Sequence, residues 1–117
     1  METRAHARIG AGICGFTTSV TAWAEQGRLV ELLVDSDCET IVALAAAIHE
    51  HGAFDAYDEI DPRTDGALLP LVHEYLHGCC SGCACPVGMF KAMQVAAGLA
   101  LPKDIVIEMS KDDGGRA

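Results

Sequence analysis

Apolar and polar positions alternate along the first third of the chain. Over residues 5–13, Ala5, Ala7, Ile9, Ala11 and Ile13 interleave with His6, Arg8, Gly10 and Gly12, the period of two that predicts a half-buried strand. The alternation resumes over 17–25 through Thr18, Val20, Ala22 and Ala24, and over 28–35 through Val30, Leu32 and Val34. Gly27 suits a hairpin turn between these two runs. Three strands joined by short links predict an antiparallel meander with one face open for helices.

The period then lengthens. Ser36 or Asp37 can cap a helix, Glu39 follows three residues after Ser36, and Ile41, Leu44, Ala45 and Ile48 recur at helical spacing, which predicts a helix over 38–51. His49 and His51 fall in its last turn, where a cationic imidazole is favoured. Residues 55–65 are acidic, lack calcium-loop spacing and predict a solvated connector. A second helix is expected over 67–77, with Leu68, Val72, Tyr75 and Leu76 on one stripe, and a third opens at Pro86 and stops at Gly98. Residues 105–109 alternate once more and predict a last strand, after which 111–117 reads as a flexible tail. The expected fold is α+β in a single domain spanning 1–117: a mostly antiparallel sheet, a three-stranded meander plus a C-terminal strand, covered by about three helices.

Composition narrows the function. A chain of 117 residues, half of them hydrophobic, forms one small domain with a modest core. Its net charge of -9 repels phosphate backbones and anionic lipid heads, so neither nucleic acid nor a membrane surface is an expected partner. The longest uncharged run, 75–90, is shorter than a bilayer span and is broken by Gly78, Gly82, Pro86 and Gly88. Glu2, Arg4, His6 and Arg8 do not read as a secretory signal, which makes the cytoplasm the expected location.

Six cysteines then become the main chemical signal, because thiols in a reducing compartment are more often metal-binding or catalytic than disulfide-bonded. Four of them, Cys79, Cys80, Cys83 and Cys85, crowd one glycine-containing loop that can reach round a soft cation. Cys85 stands at the start of a helix whose dipole favours a thiolate, and Cys38 has the same kind of place on the first helix. Cys14 lies between glycines that let the backbone make a tight approach between two strands. All three neighbourhoods are at ends of elements, so a sheet with helices packed on it can gather them at one end. Bound metal is the leading expectation, with dithiol redox chemistry at Cys79/Cys80 or Cys80/Cys83 as another use of the same thiols.

The order of these pieces resembles the U-type iron–sulfur cluster scaffolds over about residues 5–98: Cys14-Gly15 between two strands, Gly27-Arg28-Leu29 in the next hairpin, Cys38 just before a helix, and the 79–85 loop opening a later one. That resemblance implies an iron–sulfur cluster, with a zinc or iron ion as the alternative, and a protein donor or acceptor among its partners. The scaffolds place a labilising aspartate two residues after the first cysteine. Phe16 stands there in this chain, and with the extra loop thiols it implies a more tightly held centre. The chain also resembles an uncharacterised family of small microbial proteins through Cys14-Gly15-Phe16, Cys85-Pro86 and the run from Ala96 to Pro102, which favours Cys14, Cys38, Cys80 and Cys85 as the core ligand set.

His73-Glu74-Tyr75-Leu76-His77 matches the zinc-peptidase pattern, two histidines a helical turn apart with a glutamate to activate water. Both histidines fall at the flank of the apolar stripe or beyond it, whereas a catalytic pair must face an enclosed cleft. A small zinc hydrolase is therefore the alternative to carriage, storage, assembly or sensing of a cysteine-held metal centre.

Overall fold

A computed structural model describes residues 2–25, 27–61 and 66–113, and the backbone alone of Cys79. Its sheet has four antiparallel strands in chain order, β1 (Thr3–Gly10), β2 (Thr17–Ala24), β3 (Leu29–Ser36) and the two-residue β4 (Phe54–Asp55). The first strand stops three residues short of the expected limit because Gly12–Cys14 coils into a 3-10 turn. Gly15 closes that turn at φ 79, donating its N–H to the Gly12 carbonyl at 2.9 Å. Gly27, at φ 78, takes the left-handed turn conformation that glycine adopts without a steric cost.

Register sorts the side chains onto two faces. One face carries the cross-strand pairs Ala24 with Val30, Ala22 with Leu32 and Val20 with Val34, and the row ends in a polar pair, Thr18 with Ser36. The other face carries Arg4, His6, Arg8, Ser19, Thr21, Glu31 and Asp35, all exposed or half-buried.

Helices cover only the apolar face. They are α1 (Glu39–His51), α2 (Ala56–Ile60), α3 (Leu68–Tyr75) and α4 (Cys85–Ala96), one more than the sequence leads one to expect. α1 buries Ile41, Leu44 and Ile48 and lies on β3, with α3 against its side. α4 lies on β1 and β2 with a face of small and flexible residues, including Gly88, Met89, Ala92 and Met93. A Cβ on Gly88 would stand 2.6 Å from Cδ1 of Ile9, so the missing side chain is what lets α4 approach β1 so closely.

Two expectations need correction. The strand expected over 105–109 is absent: residues 101–113 form neither helix nor strand and are exposed throughout. Alternation makes a strand only where the segment pairs with another, and after the turn that ends α4 this one pairs with none of the described strands. In that turn Leu99 N–H donates to the Gln94 carbonyl at 2.7 Å and Gly98, at φ 80, donates to Val95 at 3.1 Å, with Pro102 soon after. The acidic stretch expected as a solvated connector over 55–65 is instead structural as far as it is described, with 62–65 outside the described residues. Asp55 caps α2 through Tyr57 N–H at 2.9 Å and pairs with Arg28 at 2.8 Å. Glu59 is buried, and its two carboxylate oxygens accept the N–H groups of Ala67 at 2.7 Å and Leu68 at 3.1 Å, capping α3 from another helix. Residues 111–113 are exposed and irregular, and 114–117 lie outside the described residues. None of the described helices is long and apolar enough to cross a membrane.

Candidate functional site

The polar row that ends the buried sheet face is where the site begins. Thr18 is fully buried, a costly place for a hydroxyl unless it is hydrogen-bonded. It donates to Ser36 Oγ at 2.8 Å and accepts from Cys85 Sγ at 3.2 Å. Ser36 Oγ in turn accepts the backbone N–H of Cys38 at 3.1 Å, holding that residue in the extended conformation that starts α1. A continuous hydrogen-bonded thread thus runs from the first residue of α4, across two strands, to the N-cap of α1. The strand alternation places Thr18 inward, but its role as the link between two cysteines depends on tertiary packing.

Five of the six cysteines line one cavity of about 170 Å³ at this end of the sheet: Cys14, Cys38, Cys80, Cys83 and Cys85, together with Ile13, Phe16, Thr18, Ile41 and Leu76. Cys14 comes from the β1–β2 turn and is exposed, Cys38 from the N-cap of α1, and Cys80 and Cys83 from a 3-10 turn (Gly78–Gly82) and its cap. The turn is held by Ser81 Oγ donating to the Gly78 carbonyl at 2.8 Å and by Cys83 N–H donating to the Cys80 carbonyl at 3.0 Å. The sulfur of Cys83 accepts the N–H of Cys85 at 3.4 Å. The side chain of Cys79 lies outside the described residues. A larger hollow of about 460 Å³ at the opposite end of the sheet is lined by Trp23, Glu25, Leu29, Glu31 and Ala53, with no cysteine or histidine.

Cys85 departs from the sequence expectation. It is the first residue of α4, where the helix dipole favours an anion, yet burial pushes its thiol up to about 11, and the neighbouring thiols of Cys83 and Cys38 act in the same direction. Desolvation outweighs the dipole, and Cys85 is a neutral thiol at physiological pH. Among the described residues, no three His, Cys, Asp and Glu side chains are grouped so as to hold a metal ion. The five thiols therefore border the cavity without converging on one point.

The histidine motif lacks the geometry that its spacing suggests. α3 ends at Tyr75, two residues before the expected limit, and both Leu76 and His77 have extended backbones. His73 and His77 are exposed and do not share a helical face, and Glu74 is exposed as well. His49 and His51 do fall in the last turn of α1, where His51 stacks on Phe54 with ring centroids 4.1 Å apart.

A family model described as a family of unknown function (DUF6951) matches residues 5–109. No curated protein and no solved structure matches the chain.

Proposed function

The chain belongs to DUF6951, a family of unknown function, and we propose that within it this protein holds a cysteine-ligated metal centre, an iron–sulfur cluster before a single zinc or iron ion, for storage, carriage or sensing. The observation that carries the reading is the cavity to which three distant segments each bring a thiol. Soft thiolates select iron–sulfur clusters, zinc and copper(I) over hard cations. A lone tetrahedral ion draws its sulfurs to about 2.3 Å from one centre, whereas a cluster takes its ligands around a wider perimeter, and a lining of separated thiols suits the second better.

A bound cluster supplies one-electron chemistry or is itself the cargo. The chain's own residues set how it is held. Cys38 is fixed by the Ser36 bond to its backbone, and the Cys83 sulfur already accepts an amide N–H, the kind of bond that tunes cluster potentials. Cys85 must give up its proton to become a ligand. Phe16 lines the cavity and offers no donor, which favours firm retention over rapid hand-over.

Anaerobic purification with iron, zinc and sulfide analysis and a visible spectrum tests the reading. Iron with acid-labile sulfide and visible charge-transfer absorption is expected, and Cys14→Ala or Cys38→Ala should each reduce bound metal per chain. Unchanged stoichiometry in both would confine the site to the 79–85 loop. Zinc without sulfide identifies the single-ion form. Metal-free protein with a reversible Cys80 to Cys83 disulfide would replace the proposal with dithiol redox chemistry.

A further inference from the structure

Among the described residues, 101–109 form neither helix nor strand and are exposed throughout. Ile105, Val106, Ile107 and Met109 are exposed at 50%, 74%, 66% and 89%, an apolar segment in water with no helix or strand to hold it. The family match runs through Met109, so this segment lies within the region the family shares and is not a ragged end beyond it. The molecule is correspondingly long, 56 × 28 × 28 Å with a radius of gyration of 15.3 Å, against about 13 Å for a compact chain of this length.

The sheet presents a matching vacancy. Among the described residues β1 is an edge strand, paired with β2 on one side, and a bare edge is a template for another strand. Its side chains alternate between Ala5, Ala7 and Ile9 on the helix-covered face and Arg4, His6 and Arg8 on the open face. Among the described residues Arg4 pairs with Glu2, at 3.4 Å and on an exposed surface. The unused segment alternates in the complementary sense: Ile105, Ile107 and Met109 share one face, and Asp104, Val106 and Glu108 share the other. Laid beside β1, it extends the apolar row with Ile105, Ile107 and Met109 and brings Asp104 and Glu108 against Arg4 and Arg8. A one-residue slip would reverse both matches at once, which specifies the register.

We propose that residues 103–109 of one copy add as a strand to the free edge of β1 in a second copy, reciprocally, so that each sheet gains a fifth strand and the protein is a dimer. The occupant is a second copy because the segment lies exposed, without helix or strand, in an elongated molecule, and because donor segment and acceptor edge, complementary in charge and in apolar face, occur in one sequence.

Sedimentation equilibrium of the full chain at micromolar concentration should give the mass of two copies, and Ile107→Asp should halve it without changing the far-ultraviolet spectrum of the helices. Charge reversal tests the pairing itself. The Asp104→Lys, Glu108→Lys variant and the Arg4→Glu, Arg8→Glu variant should each sediment as single copies, whereas their equimolar mixture should regain the mass of two, since each donor segment then meets an acceptor edge of opposite sign. A single-copy mass for the intact chain overturns the proposal. So does a dimer that persists in Ile107→Asp and in both charge-reversed proteins, which would move the interface to the open sheet face.

Discussion

At the scale of single residues, Cys85 separates what a position in sequence says from what its surroundings impose. Its place at the start of a helix is legible from Cys85-Pro86, and so is its nearness to other thiols. Its charge state is not, because it is decided by tertiary packing: burial raises the thiol, Cys83 and Cys38 on two other segments raise it further, and the hydrogen bond with Thr18 on β2 opposes them without prevailing. The folded chain holds the Cys85 proton to about 11, while a free thiol loses it near 9.0. Between those values the unfolded state binds fewer protons than the folded one, so the stability associated with this thiol is complete below about pH 9 and is lost as pH rises toward 11. At about 1.4 kcal/mol per pH unit the loss is at most roughly 3 kcal/mol. Urea unfolding of chelator-treated protein at pH 8 and at pH 10.5 should show a steeper fall in the parent than in Cys85→Ser, which keeps a donor for Thr18 but has no thiol to ionise. Equal falls would assign the alkaline loss to other groups.

Among the elements, the strands and long helices follow from periodicity because each buries one face, and hydropathy records that choice directly. The two elements that depart from expectation share a cause: neither an acidic residue nor an alternating run shows its partners in the sequence. Glu59 looks solvated in sequence, yet it is the cap that α3 lacks at its own N-cap, Ala67, whose side chain cannot accept a hydrogen bond. Residues 105–109 alternate as a strand, yet within one chain they pair with none of the described strands. Glu59→Ala should leave the N–H groups of Ala67 and Leu68 without acceptors, one of them buried, and cost about 2 kcal/mol or more. Glu59→Gln, which keeps one carbonyl oxygen, should cost clearly less. The urea midpoint at constant m-value reads both, and indistinguishable midpoints for Ala and parent would mean that water caps α3 equally well.

For the whole molecule, the gathering of cysteines at one end follows partly from topology. In an antiparallel meander β1 and β3 run the same way, so the residues that follow them, Cys14 and Cys38, leave the sheet at the same end. That much is legible from three alternating runs with short links. The return of 80–85 to that end is not, because it depends on the path through α2, α3 and residues between them that no periodicity specifies. A ligand held by the β1–β2 turn, the start of α1 and the start of α4 together binds only the folded chain, and so must raise its stability. At a free-metal level a hundredfold above the dissociation constant the gain is about 2.7 kcal/mol, which for a domain of this size moves the melting temperature by roughly 10 °C. The loaded protein should therefore melt about that much above its chelated form. Cys38→Ala, which removes one half-buried thiol from the cavity wall, should abolish most of the gap while leaving the chelated melting temperature within a few degrees of the parent. If the gap survives in Cys38→Ala and in Cys14→Ala alike, the loop thiols hold the metal alone and the three-segment site is wrong. If both chelated variants instead melt far below the chelated parent, these cysteines serve the packing of the sheet end and not a ligand.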